Sequence, residues 1–135
     1  MTPGYSGKPL VAKLELKPDS SFYTYAAPLE YLDWLAPLPD GAKHITTLEP
    51  SLSFIHGFFR DRRTFEQQLP AFISHLESSG MIWISWLKKS AKIPTDITED
   101  TIREIALPMG LVDVKVCAVS EIWSGLKLVI RVNKR

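Results

Sequence analysis

The sequence predicts an open α/β sheet, mostly parallel, with one antiparallel pair of strands at its C-terminal edge. Three observations predict it. Strand-like and helix-like segments alternate along the chain. Two of the strand-like runs, Leu52 to Phe59 (LSFIHGFF) and Met81 to Leu87 (MIWISWL), are nearly continuous in apolar residues, as strands covered on both faces are. The chain finishes in two alternating runs separated by a short turn.

The elements follow in order. In SGKPLVAKL, Ser6 is placed to cap a short helix and Pro9 sits in its first turn, where a missing N–H costs nothing. Leu10 and Leu14 share its face, and Lys17 and Pro18 end it. Ser21 to Ala27 (SFYTYAA), aromatic and Thr-bearing ahead of Pro28, reads as the first strand. Pro28 opens a short helix with Leu29, Leu32 and Leu35 at helical spacing, broken by Pro37 to Gly41. His44 to Leu48 and Leu52 to Phe59 read as the next two strands.

Phe65, Leu69, Phe72 and Leu76, at spacings of four, three and four, draw one apolar helical stripe, with Arg62, Glu66 and Gln67 mostly away from it. Pro70 predicts a kink or break in that helix. Gly80 leads into the strand Met81 to Leu87. Asp96 or Thr98 then caps a helix with Ile102, Ile105, Ala106 and Met109 on one face, ended by Gly110. Leu111 to Val119 and Gly125 to Val132, joined through Ser120 to Ser124, form a hairpin with Val112, Val114, Val116 and Ala118 expected on one face. Right-handed crossovers put helices on both sides of such a sheet.

Bulk properties narrow the function classes. The chain has 135 residues, 45% hydrophobic and 23% charged, with no repeat and no composition shift, so residues 1–135 are expected to form a single domain. Sixteen Lys and Arg against fifteen Asp and Glu give a charge of +1, too balanced for the broad positive field of a nucleic-acid binder. The single cysteine, Cys117, excludes an internal disulfide and a multi-Cys zinc site. No segment approaches the ~20 apolar residues of a membrane span, and MTPGYSGKPLVAKLELK lacks a signal-peptide run. A cytoplasmic protein not inserted in a bilayer is the expectation.

The element order, above all from Leu52 to Val132, resembles the Rossmann-like fold of S-adenosylmethionine-dependent methyltransferases, reduced in size. That resemblance implies a glycine-rich cofactor loop after the first strand, where this chain has Ala26, Ala27, Pro28, Leu29 and Glu30. Glycines let the backbone approach a cofactor, and Pro28 removes a donor besides. For the acidic partner of the cofactor ribose, Glu49 is the only residue available. The segments GYSGKPLVAKLELKP, AAPLEYLDWLAPLPDG and, most diagnostic, GLVDVKVCAVSEIWSGLKLV resemble a bacterial family of unknown function, which implies no activity.

Open α/β sheets bind ligands beyond the carboxyl ends of their parallel strands. That rule selects the loops Ala27 to Glu30, Arg60 to Arg63, Trp86 to Asp96 and Ser120 to Ser124, and the last three bring together Arg60, Arg62, Trp86, Lys88, Lys89, Thr95, Asp96, Glu121 and Trp123. Trp86 with Lys88 and Lys89 suits a planar anionic ligand, and equally a buried Trp beside solvated lysines. Thr95 and Asp96 suit hydrogen bonding to a ligand, and Asp96 equally a helix cap. The basic run Arg60 to Arg63 faces an unfavourable helix dipole, so it reads either as a phosphate site or as solvated arginines around an Asp61 cap. Glu121 and Trp123 read as a pocket lid or a plain turn.

His44, His56 and His75 lie on separate elements, with no second metal ligand and no nucleophilic triad. His56 reads as a core histidine, and Cys117 as a strand thiol raised in pKa by burial. No residue pattern names a cofactor. The leading expectation is therefore a non-catalytic methyltransferase-like scaffold that binds a small ligand away from Ala27 to Glu30, or a protein partner. A divergent methyltransferase and a homo-oligomeric interaction protein are the alternatives.

Overall fold

A computed structural model describes residues 8–134. Six strands form one sheet in the order β2-β1-β3-β4-β6-β5. They are β1 (Ser21–Tyr25), β2 (Lys43–Ile45), β3 (Leu52–Phe58), β4 (Leu76–Leu87), β5 (Leu111–Ala118) and β6 (Trp123–Ile130). Strands β1 to β4 run parallel, while β6 is antiparallel to both β4 and β5. The expected mostly parallel sheet with a C-terminal antiparallel hairpin is thus what the chain forms. Strands β2 and β3 flank β1, and residues 46–51 alone connect them. So short a crossover suffices because β2 is only three residues long.

Alternation along the strands feeds two cores. On one face Ile55, Ile82, Ile84, Leu126 and Leu128 meet helices α3 (Arg62–Ser74) and α4 (Glu99–Ala106). On the other, Phe22, Phe54 and Trp83 meet α1 (Leu10–Lys13) and α2 (Tyr31–Leu35). The N-terminal segment is clasped there. The Trp83 indole donates to the Leu14 carbonyl at 3.0 Å, and Glu15 bridges Lys115 at 2.7 Å and Lys127 at 3.1 Å. These lysines, Lys115 first, hold the Glu15 carboxyl below its ordinary pKa. No helix among the described residues is long and apolar enough to cross a membrane.

Several expectations shift in detail. Phe65, Leu69, Phe72 and Leu76 are all buried, yet α3 ends at Ser74 and Leu76 already begins β4. The helix continues through Pro70 because its stripe is held against the sheet, and tertiary burial outweighs one missing hydrogen bond. Thr98, with Thr101 in a reciprocal capping box, starts α4, and Asp96 does not. Met109 is exposed at 40%, because Leu107–Met109 tightens into a 3-10 turn before Gly110 takes a left-handed φ of 93°. Ser6 lies outside the described residues.

The hairpin valines do not share a face. Val112 pairs with Val129 but Val116 with Leu126, three positions away, since Val114 is an extra residue in a β-bulge between Asp113 and Lys115. A bulge inverts the alternation beyond it. On an edge strand it also blunts the row of unpaired backbone groups.

One polar chain crosses the otherwise apolar interior. His56 on β3 meets the Tyr31 hydroxyl at 2.9 Å through Nδ1 and the Ser85 hydroxyl at 2.8 Å through Nε2. All three are buried, and burial drives the imidazole pKa down to about 3 while pushing the Tyr31 phenol up. The imidazole is therefore neutral, and both ring nitrogens are satisfied.

Leu69→Ala should cost about 2 to 5 kcal/mol in urea unfolding, because it empties a fully buried site under α3. Acid should destabilise the fold through His56. Its ordinary pKa of 6.5 is depressed to about 3 on folding, so below pH 6.5 the unfolded chain gains a proton that the folded chain refuses. Stability is full above that pH and falls on acidification, with a slope from this group approaching about 1.4 kcal/mol per pH unit. His44, also lowered by burial, adds in the same sense. Urea titrations from pH 7 to about pH 5 should show the slope, and His56→Gln should flatten it while lowering stability throughout.

Candidate functional site

The sheet changes direction between β1 and β3: from β1 the chain goes on to β2 on one side, and from β3 to β4 on the other. At the carboxyl ends of these two strands lies a cleft of about 660 Å³. Three segments wall it, namely the β1–α2 loop with Ala26 to Glu30, the β3–α3 loop with Phe59 to Asp61, and the β5–β6 turn with Ser120 to Trp123. Such a switch point is where open α/β sheets hold ligands, in clefts of about 300–1,000 Å³.

Five aromatic residues stand in the wall. Tyr25 stacks on Phe59 at 5.2 Å, Phe58 meets Trp123 edge-on at 5.1 Å, and Trp34 comes from α2. The Arg60 guanidinium lies 5.7 Å from the Trp123 ring centroid. Glu30 and Glu121 are exposed, and their carboxylates form no hydrogen bond or ion pair with another described residue. The backbone at the first-strand exit turns sharply, with Ala26 at φ 55°, a left-handed conformation that a Cβ makes costly.

At the start of α3 the chain's own acids meet Arg62 and cap the helix. The Asp61 carboxylate accepts from the Thr64 amide at 2.9 Å, and that contact holds it below its ordinary pKa. Asp96 accepts from the Arg62 amide at 2.6 Å. Two carboxylates thus face the positive end of the helix and offset the unfavourable arginines. The Arg62 side chain turns to Glu66 at 3.2 Å and Glu104 at 3.5 Å. The phosphate-site reading is corrected for Arg62, whose anions are built in, whereas Arg60 faces the cleft.

The nine residues selected from sequence divide. Arg60, Glu121 and Trp123 line the cleft; Trp86, Lys88, Lys89 and Thr95 line a separate hollow of about 710 Å³ beside α4; Arg62 and Asp96 line neither. The cause is the path of the chain after β4. Lys88 bonds to the β5–β6 turn through its amide to the Ile122 carbonyl at 2.9 Å and its ammonium to the Ser120 carbonyl at 2.8 Å, and Thr95 donates to the Arg60 carbonyl at 2.6 Å. That segment parts the two hollows. Trp86 is 7% exposed within the α3–α4 core, which leaves little ring for a ligand.

The loop Ala27 to Glu30, set apart from the ligand in the sequence reading, proves to be a wall of the same cleft as Glu121 and Trp123. Tyr25, Glu30, Trp34 and Phe58 were not among the residues selected. The signal for them was the strand-exit rule itself, applied to the last residues of the first and third strands. His56 is a satisfied core histidine. Cys117 is half-buried with its thiol pKa raised by burial, and no cluster suited to a metal ion occurs among the described residues.

Comparison with known proteins agrees on the fold. A possible exported protein from Bordetella parapertussis superposes with a TM-score of 0.63 at 9% identity, over 90% of this chain and 66% of the other. A SAM-dependent methyltransferase from Aquifex aeolicus gives 0.61 at 13% identity over 90% and 87%, and a precorrin-6y C5,15-methyltransferase from Geobacter metallireducens gives 0.59 at 11% over 88% and 84%. No protein-family model and no curated protein matches the chain, so the resemblance to a family of unknown function gains no support from them. The chain is an open Rossmann-like α/β sheet whose fold resembles that of these methyltransferases. At these identities the likeness speaks for the fold alone.

The cofactor that this fold implies does not fit these residues in the usual way. Ala26 makes the turn, but Ala26, Ala27 and Pro28 carry side-chain atoms that glycines would lack, and Pro28 offers no amide donor. Glu49, the acid after β2, is exposed and outside the cleft. Both expected contacts are missing.

Ala26→Gly should raise stability by about 0.5 kcal/mol, since relief of the left-handed strain exceeds the added chain entropy. Ala26→Val should lower it by about 1 kcal/mol, because a β-branched side chain fits that conformation worse. Urea unfolding of the pair reads both.

Proposed function

We propose that this chain is a non-catalytic methyltransferase-fold scaffold that binds a small ligand in the cleft between the β1–α2 loop and the β5–β6 turn. The observation that carries the reading is the cleft itself, about 660 Å³ with five aromatic residues in its wall, at the switch point of the sheet. Two of its hydroxyl groups, those of Thr64 and Ser120, are engaged in local structure. Thr64 donates to Asp61 at 2.8 Å, and Ser120 accepts from the turn amides of Ile122 at 3.3 Å and Trp123 at 3.2 Å. The Thr64 hydroxyl and the Asp61 carboxylate are thus used in the cap of α3, which supports binding without group transfer.

A divergent S-adenosylmethionine-dependent methyltransferase is the second reading. The left-handed turn at Ala26 favours it, since the loop keeps the bend that a glycine-rich loop would make.

Titration with S-adenosylmethionine and a panel of nucleosides, followed by amide shifts and tryptophan fluorescence, separates the two. The scaffold reading expects no low-micromolar S-adenosylmethionine binding. It also expects any ligand to perturb the β1–α2 loop and the β5–β6 turn together. Leu29→Trp, at a fully exposed cleft position, should weaken that perturbation without loss of folding. Tight S-adenosylmethionine binding with shifts centred on Ala26 to Glu30 would restore the enzyme reading. Shifts confined to the hollow of Lys88, Lys89 and Thr95 would remove the cleft from consideration.

A further inference from the structure

The charges around the cleft point to the sign of its ligand. Glu30, Asp61 and Glu121 line it against one cation, Arg60, and no lysine does, so its walls carry a formal charge of −2 although the whole chain is at +1. Asp61 is held by Thr64, whereas the Glu30 and Glu121 carboxylates have no partner among the described residues. Among the described residues, Arg60 has no carboxylate within ion-pair distance. Its guanidinium rests on the Trp123 ring, so the chain already places one cation against this aromatic wall. An anion entering here would meet two unpartnered carboxylates, and a cation would meet carboxylates and ring faces together.

Resting on the reading of this cleft as a ligand site, we propose that it takes an organic cation, an amine or quaternary ammonium carried on a flat apolar body. The body lies against Tyr25 and Trp34, whose rings are half-buried, and the charge is met by Glu30 and Glu121. The ligand class follows from two properties that occur together: accessible aromatic rings in the lining, and an excess of free carboxylates at a site open to solvent. Nucleotides and other phosphates are disfavoured by the same charges.

The test uses three probes with one aromatic body, naphthylethylamine, naphthylacetamide and naphthylacetate, titrated into the full chain to about 10 mM and read by amide shifts. The amine should bind about tenfold more tightly than the acetate, with the neutral amide between them. In the double variant Glu30→Gln, Glu121→Gln, both positions being exposed, the preference should shrink to about twofold, as it should at raised ionic strength. Acetate binding as tight as the amine, or a preference that survives the double variant, would overturn the proposal. If all three probes shift the cleft amides alike, the cleft binds ligands and only its charge preference is refuted. If none shifts them, the reading of the cleft as a ligand site fails as well.

Discussion

The antiparallel docking of β6 onto β4 is the constraint on which the functional edge depends. Because Leu87 pairs with Trp123, the first residue of β6 lies level with the last residue of β4. The β5–β6 turn is thereby delivered to the carboxyl edge of a sheet whose other strands are parallel. Without that pairing Glu121 and Trp123 would have no reason to face Ala26 to Glu30. The central strand tolerates the change of direction because it is buried on both faces, with Ile82 and Ile84 in one core and Trp83 in the other. Its backbone is satisfied by β3 on one side and β6 on the other.

The two cores differ in character. The α3–α4 side has an apolar interior, with Phe65, Leu69 and Phe72 fully buried, and keeps its ion pairs, such as Arg103 with Asp113 at 2.9 Å, at the rim. The α1–α2 side buries a tyrosine, a histidine and a serine in one hydrogen-bonded row, and its short helices rely on that row and on the Glu15 clasp for their position. A neutral imidazole with both nitrogens engaged is a specific joint between α2, β3 and β4. Since α2 also carries Trp34 into the cleft wall, the buried row supports the shape of the site without lining it.

Charge placement follows one logic at the start of α3 and another in the cleft. At the helix start Asp61 and Asp96 satisfy amides, and the fold consumes them. In the cleft Glu30 and Glu121 satisfy nothing among the described residues. Carboxylates with structural duties and carboxylates without them stand within a few residues of one another. Only the second kind is available to a ligand.

The sequence by itself determined the fold class, the two apolar strands, the stripe of α3 and the terminal hairpin, because periodicity and burial are local properties that a linear pattern records. It also pointed to the carboxyl edge of the sheet, and to His56 as a core residue. It did not show the bulge at Val114, which inverts the face of every later residue in β5 through one unpaired position. Nor did it show that Leu76 had left the helix, since a strand residue happened to continue the helical spacing. The grouping of the site was decided by tertiary structure alone. Lys88 and Thr95 stitch the segment after β4 to the β5–β6 turn and to the β3–α3 loop, and those long-range hydrogen bonds separate residues that a linear reading places together. The pairing of β6 with β4 likewise brings Glu121 to the cleft that Glu30 lines, ninety-one positions away in the chain. Pattern fixes which face a residue takes; only the packed chain decides which residues share it.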